Sequence, residues 1–191
     1  KALMGRIGLL ALDDDQIAML KLDFKKIRRP LLVIGPPATG KTEGTIAAIE
    51  KANRSLPESK QFGFKKIQLG QLVVGDLTGI PVVVSEGNVR RVLTDDLPQN
   101  DPTKPDYQEH GVLFLDEITT VDEAQMQPAL GLADGSRSIG TYKLPEHWLV
   151  VAAGNGPESS NFMRLDDVML TRFRTFNVLP DYKYWRKYAE S

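Results

Sequence analysis

The sequence predicts an α/β domain in which a parallel sheet is covered by helices on both faces. Three observations carry that prediction. Short continuous apolar runs recur at Leu31–Ile34, Val112–Leu115 and Leu149–Ala153, the pattern of strands buried on both sides. Helical stretches fall between them, and strands alternating with helices imply a parallel sheet. Each run stops at a segment rich in glycine or polar groups: Gly35, Asp116-Glu117 and Gly154-Asn155.

At 191 residues, with 41% hydrophobic and 26% charged positions, the chain suits one domain with a sizeable core. A net charge of −1 argues against intrinsic disorder and provides no basic excess for nucleic acid. There is no cysteine, which excludes disulfides, thiolate metal sites and cysteine nucleophiles. No apolar run approaches the roughly 18 residues of a membrane span, and the expected compartment is the cytoplasm.

In chain order, an apolar patch (Ile7–Leu12) precedes Asp13, which can cap a helix over Asp14–Phe24. The acidic run before that helix and the basic run Lys25–Arg29 read as solvated faces. The strand Leu31–Ile34 leads through a Gly/Pro/Thr loop to a helix over Thr42–Ala52. A short strand is expected at Ile67–Leu69, then a hairpin of Pro81–Ser85 and Val89–Val92 joined through Glu86-Gly87-Asn88. Leu97–Asp106, rich in Pro, Asp and Asn, is a loop. After the strand Val112–Leu115, a helical stretch covers Val121–Ala133, with a kink or break expected at Pro128. Gly135–Glu146 alternates weakly, as another hairpin would. The strand Leu149–Ala153, a short helix over Leu165–Thr171 and a strand over Thr175–Val178 complete the order.

Gly35-Pro36-Pro37-Ala38-Thr39-Gly40-Lys41-Thr42 fits the pattern G-x-x-x-x-G-K-[ST] and lies between an expected strand and an expected helix. Glycines let the backbone amides turn inward around phosphates, and the helix N-terminus adds positive potential. In that pattern Lys41 reaches the β- and γ-phosphates of a nucleotide and the Thr42 hydroxyl ligates Mg²⁺. Asp116, at the end of a buried strand, is the expected second Mg²⁺ ligand. A carboxylate at Glu117 can orient and deprotonate an attacking water, although a polar pair there also suits a helix cap. Asn155, at the carboxyl end of the third strand, faces the ligand crevice of an open α/β sheet, where it can donate to a γ-phosphate or position water. Arg172 and Arg174 follow the last short helix. An arginine there is either a dipole partner or a finger directed at the γ-phosphate of a neighbouring subunit.

These pieces, in this order, resemble the AAA+ ATPases, and most nearly their MoxR-like branch. The matching segments are GPPATGKT at 35–42, GVLFLDEI at 111–118, VVAAGN at 150–155 and LTRF at 170–173. GDLTGIPVV at 75–83 and SRSIGTYKLPEHW at 136–148 look like the family's hairpin-bearing segments. The resemblance places Gly35 to Thr42 and Asp116 around ATP, with Thr42 and Asp116 on Mg²⁺. It makes Glu117 the catalytic base, Asn155 the polar sensor and Arg172 the finger, with Arg174 in reserve. It further implies a P-loop NTPase three-layer sandwich, and ATP hydrolysis at the subunit interfaces of a homo-oligomeric, usually hexameric ring that remodels a protein client.

Three features depart from the family pattern. Ala38 stands where glycine is usual, Pro128 interrupts a normally regular helix, and the helical lid with its second sensor arginine is largely missing. Only 13 residues follow Val178, and Asp181–Trp185 suits the start of the lid's first helix. The expected division is therefore a nucleotide-binding core over 1–180 and a truncated lid over 181–191. With Lys1 in place of a starting methionine, a fragment of a larger protein is expected.

The aromatic cluster of Tyr182, Tyr184, Trp185 and Tyr188 suits packing of that lid helix better than base stacking. His110 and His147 have no metal-spaced partners and read as surface or structural residues. Arg90 and Arg91, in the first hairpin, are either solvated or directed at a substrate. Three other functions use the same loop: a phosphotransferase, a nucleotide-switched assembly adaptor and a DNA-linked motor. Glu117 and Asn155 suit a water nucleophile better than an acceptor alcohol, and the near-neutral charge favours a protein client over nucleic acid.

Overall fold

The computed structural model describes residues 29–72, 74–92, 94–160, 162–163, 165 and 167–179. The expected helix over 14–24 and the start of the lid at 181–191 lie outside them.

Five strands form one sheet: β1 (Leu31–Ile34), β2 (Phe62–Gln68), β5 (His110–Asp116), β8 (Trp148–Gly154) and β9 (Arg174–Asn177). Their order is β2-β5-β8-β1-β9 and every pairing is parallel. β1 runs between β8 and β9, with Leu31 opposite Val151 on one side and Arg174 on the other. A parallel sheet is stable when both faces are covered, because its strands carry apolar side chains alternately to each. Val33, Phe114 and Val151 face one layer with Ala48 and Ile49 of α1 (Lys41–Asn53). Leu32, Leu115 and Val150 face the other, with Met126, Ala129 and Leu130 of α3 (Glu123–Ala133). The predicted α/β sandwich is thus observed, with helix, sheet and helix as its three layers.

Several elements differ in extent from the sequence reading. β2 begins at Phe62, five residues before the expected strand, because its first half is a partly exposed edge strand without a continuous apolar run. Asn53, the last residue of α1, anchors that start: its side chain donates to the Phe62 carbonyl at 2.9 Å and accepts from the Phe62 amide at 2.8 Å. Leu69 belongs to a 3₁₀ turn over Leu69–Gln71, and a further short helix, α2 (Val74–Thr78), follows.

Asp122 caps α3, accepting from the Gln125 amide at 2.9 Å, and the helix runs through Pro128 without a break. Proline forgoes one backbone hydrogen bond, but the buried face formed by Met126, Ala129, Leu130 and Ala133 continues on both sides of it.

Both expected hairpins form, each as a separate two-stranded sheet. The first joins β3 (Ile80–Ser85) to β4 (Asn88–Val92) and exposes Ile80, Val83, Val84 and Val89. The second joins β6 (Ser138–Ile139) to β7 (Tyr142–Lys143). Arg137, just before it, donates to the Pro145 and Trp148 carbonyls and so ties the second hairpin to the start of β8. α4 (Asp167–Arg172) leads into β9.

His110 and His147 stack with ring centroids 4.9 Å apart. Among the described residues no group of three His, Cys, Asp or Glu side chains is placed to hold a metal. None of their helices is long and apolar enough to cross a membrane.

Candidate functional site

The carboxyl ends of β1, β5 and β8 meet in the middle of the sheet, where an open α/β fold has its ligand crevice. β1 stays in register with β8 as far as Ile34 opposite Gly154, and the Gly35 amide then donates to the Gly154 carbonyl at 3.2 Å. A side chain at Gly35 would collide with the Val178 backbone, which passes close by after β9. Glycine is therefore required there by packing.

The loop from Gly35 to Gly40 wraps toward the N-terminus of α1. Gly40, the N-cap, has φ 76° and no side chain to offer the helix, so the first-turn amides have no side-chain cap. Ala38 has φ 59°, the left-handed region that favours glycine. The Thr39 hydroxyl donates to the Pro36 carbonyl at 2.8 Å. Lys41 Nζ donates to the carbonyls of Gly35 and Pro36 at 2.9 and 2.8 Å, which holds the ammonium beneath its own loop. Burial pushes the Lys41 ammonium below the usual lysine range, opposed by the nearby charges of Asp116 and Glu158. A partly desolvated cation beside uncapped helix amides is a strong attractor for phosphate oxygens.

Across the crevice, both oxygens of Asp116 are engaged. Oδ1 accepts from the Glu117 amide at 3.0 Å. Oδ2 faces the Thr42 hydroxyl at 3.4 Å and the Lys66 ammonium at 2.8 Å. Glu117 takes a left-handed backbone, φ 63°, which turns the chain sharply at the end of β5. Such strain in a non-glycine residue costs about 1–3 kcal/mol and is held by surrounding contacts. Here the Glu117 carbonyl accepts from the Thr120 amide and hydroxyl at 3.0 and 2.9 Å, and Glu117 Oε1 accepts from Gln68 Nε2 at 3.2 Å. Asn155 is held through its backbone: its amide donates to Thr119 Oγ1 at 2.8 Å, and the same hydroxyl donates to its carbonyl at 3.1 Å.

These groups enclose a cavity of about 330 Å³ lined by Pro37 to Glu43, Asp116, Glu117 and Asn155. Of the residues singled out from the sequence, Ala38, Thr39, Gly40, Lys41, Thr42, Asp116, Glu117 and Asn155 therefore meet at one place, with Pro37 at its rim. Gly35 and Pro36 lie behind it and hold Lys41 through their carbonyls. Arg172 does not line the cavity. It ends α4, half-buried; burial works to raise the Asp134 carboxyl, but hydrogen bonds from Ser136 and Arg137, with a smaller contribution from the Arg172 charge, hold it below the usual range. Arg174 lies over the Phe176 ring at 5.3 Å.

Thr42 and Asp116 present two hard oxygen donors to one point, where the Lys66 ammonium is paired with Asp116 Oδ2. That donor set fits Mg²⁺, which completes its shell with water and phosphate oxygens rather than with a protein cage.

Lys66, Gln68 and Thr119 were missed by sequence reasoning. For Lys66 and Gln68 the available signal was positional: polar residues at the end of one strand beside the acidic end of its neighbour.

No family model and no curated protein matches the chain. Among solved structures it is similar to a Cytophaga hutchinsonii protein provisionally assigned as an ATPase, at 16% identity and a TM-score of 0.60, covering 98% of this chain and 52% of that one. It is also similar to a full-length MCM homolog from Methanopyrus kandleri, at 19% identity and a TM-score of 0.50, covering 97% of this chain and 39% of that one. At such identities the likeness shows the fold alone, an α/β sandwich with a parallel five-stranded sheet between helical layers. The chain spans about half the length of the first of these proteins and less of the second.

Proposed function

We propose that this chain is an ATP-binding module that hydrolyses ATP in a Mg²⁺-dependent reaction. The observation that carries the reading is the meeting of Lys41, Thr42, Asp116, Glu117 and Asn155 around one cavity. The loop amides and Lys41 bind the phosphates, and Lys41 exchanges its two carbonyl partners for phosphate oxygens. Thr42 and Asp116 hold Mg²⁺, which supplies charge neutralisation at the phosphates when bound.

Glu117 takes a proton from a water whose oxygen attacks the γ-phosphorus. The bond from that phosphorus to the β–γ bridging oxygen breaks, leaving ADP and inorganic phosphate. Gln68 fixes one oxygen of the Glu117 carboxylate, so the base is oriented before substrate arrives. Asn155 lines the same cavity, where its side-chain amide would serve the γ-phosphate or the water.

The position of Arg172 outside its own cavity supports a role in a neighbouring subunit's site, and hence a homo-oligomeric ring. The family resemblance puts the number of subunits at six and gives the ring a protein client to remodel.

Lys41→Ala tests the binding step. Removing a charge-assisted pair costs about 1.5–3 kcal/mol, roughly ten- to 150-fold in affinity. Calorimetric titration with Mg-ATP should show that loss. Equal affinity in the variant and the wild type refutes the placement of the phosphates.

A further inference from the structure

Edge strand β2 sends two side chains to the carboxylates at the end of β5. Parallel register sets Gln68 opposite Asp116 and Lys66 opposite Phe114, so the two side chains lie on the same face of β2. Gln68 reaches Glu117, and its part in orienting the base is plain. The Lys66 contact has no part in the chemistry derived so far.

Its geometry is specific. Lys66 Nζ stands 2.8 Å from Asp116 Oδ2, the oxygen that the Thr42 hydroxyl approaches at 3.4 Å. The other oxygen, Oδ1, is committed to the Glu117 amide. A divalent ion held by Thr42 and Asp116 needs Oδ2, so the ammonium and the ion compete for one atom. Two cations that close repel each other, and the repulsion must be relieved by movement of the lysine. The Lys66 side chain keeps 36% of its surface exposed while that of Asp116 keeps 18%. The lysine therefore has water to withdraw into, while Asp116 is the more buried of the two.

We propose that Lys66 is a positioning residue of the site, a tethered cation that holds Asp116 Oδ2 in place until the divalent ion arrives with nucleotide, and then gives way to it. The inference rests on the Mg-ATP reading above. Lys66 touches no substrate atom and acts through Asp116. It keeps the acidic end of β5 neutralised and correctly turned when the site is empty. In exchange, it raises the metal concentration needed to fill the site.

The test uses Mn²⁺ as probe, followed by electron paramagnetic resonance, on the full chain with a non-hydrolysable ATP analogue. Lys66→Met keeps the length of the side chain and removes its charge. It should bind Mn²⁺ in the ternary complex about three- to tenfold more tightly than the wild type, the size set by one partly exposed charge a few ångströms away. Lys66→Arg should stay within about twofold of the wild type, since it keeps the charge. Lys66→Gln serves as the neutral variant should the methionine variant fail to fold, as judged by circular dichroism. Unchanged or weaker Mn²⁺ binding in the neutral variants overturns the proposal while leaving the Mg-ATP reading in place. A wild type that binds no Mn²⁺ with the analogue overturns both.

Discussion

Thr119 is the test of whether the Asn155 side chain is placed by a single buried hydroxyl. Thr119 is fully buried, and its Oγ1 both accepts the Asn155 amide and donates to the Asn155 carbonyl. Its methyl packs so closely on Gly154 that a side chain there would clash. Thr119→Val keeps that methyl and its shape and removes only the hydroxyl. The Asn155 backbone then loses one donor's partner and one acceptor's partner in a half-buried turn. Leaving such groups unpaired costs about 1–3 kcal/mol. A loss of about 2 kcal/mol lowers Tm by roughly 4–8 °C for a chain of this size. Release of the turn also misplaces the Asn155 side chain, and a 1 Å error in a positioning group can cost about 10²-fold in turnover. The expected result in calorimetry and a phosphate-release assay is a lower Tm, turnover reduced about ten- to hundredfold, and ATP affinity within about threefold of the wild type. Thr119→Ser should recover turnover, since it restores both hydrogen bonds. A Thr119→Val protein that melts within about 1 °C of the wild type and turns over at its rate would refute the reasoning.

Two other substitutions probe the loop and the proposed ring. Ala38→Gly relieves a left-handed alanine, worth about 1–2 kcal/mol, against about 0.4–1 kcal/mol of added freedom in the unfolded chain. A net Tm rise of about 1–3 °C is expected by calorimetry, and a fall would show that the loop is not strained there. Arg172→Ala should leave nucleotide affinity intact and lower turnover about 10³- to 10⁵-fold, the range for an arginine finger. Mixing it with Glu117→Gln subunits should restore part of the activity, and no recovery at any ratio would contradict a finger acting between subunits.

Much of the architecture was legible because a parallel sheet writes its central strands as unbroken apolar runs. Leu31–Ile34, Val112–Leu115 and Leu149–Ala153 became β1, β5 and β8, the three strands whose ends build the site. The edge strand β2 was read too short, since Phe62 to Lys66 faces solvent in part and does not register as a core run. The hairpin read as Pro81–Ser85 and Val89–Val92 is formed by β3 and β4, but its exposure is a tertiary fact that no local pattern carries. The phosphate-binding residues were legible because phosphate chemistry demands particular residue types at fixed spacing in a single loop, and Asp116, Glu117 and Asn155 because each stands at the end of an apolar run. Lys66 and Gln68 were not, since their partners lie about fifty residues away and meet them only through the β2–β5 register. Thr119 was hidden for a similar reason: it lies beside a recognised motif, yet its hydroxyl serves the end of a different strand.

The central claim is that Glu117 serves as the base in ATP hydrolysis at this cavity. Its most direct test compares phosphate release and Mg-ATP affinity in the wild type and in Glu117→Gln. The amide keeps the size and the Gln68 contact region but cannot accept the proton, so affinity should persist while turnover falls about 10²- to 10⁴-fold. Undiminished phosphate release by Glu117→Gln would contradict the account.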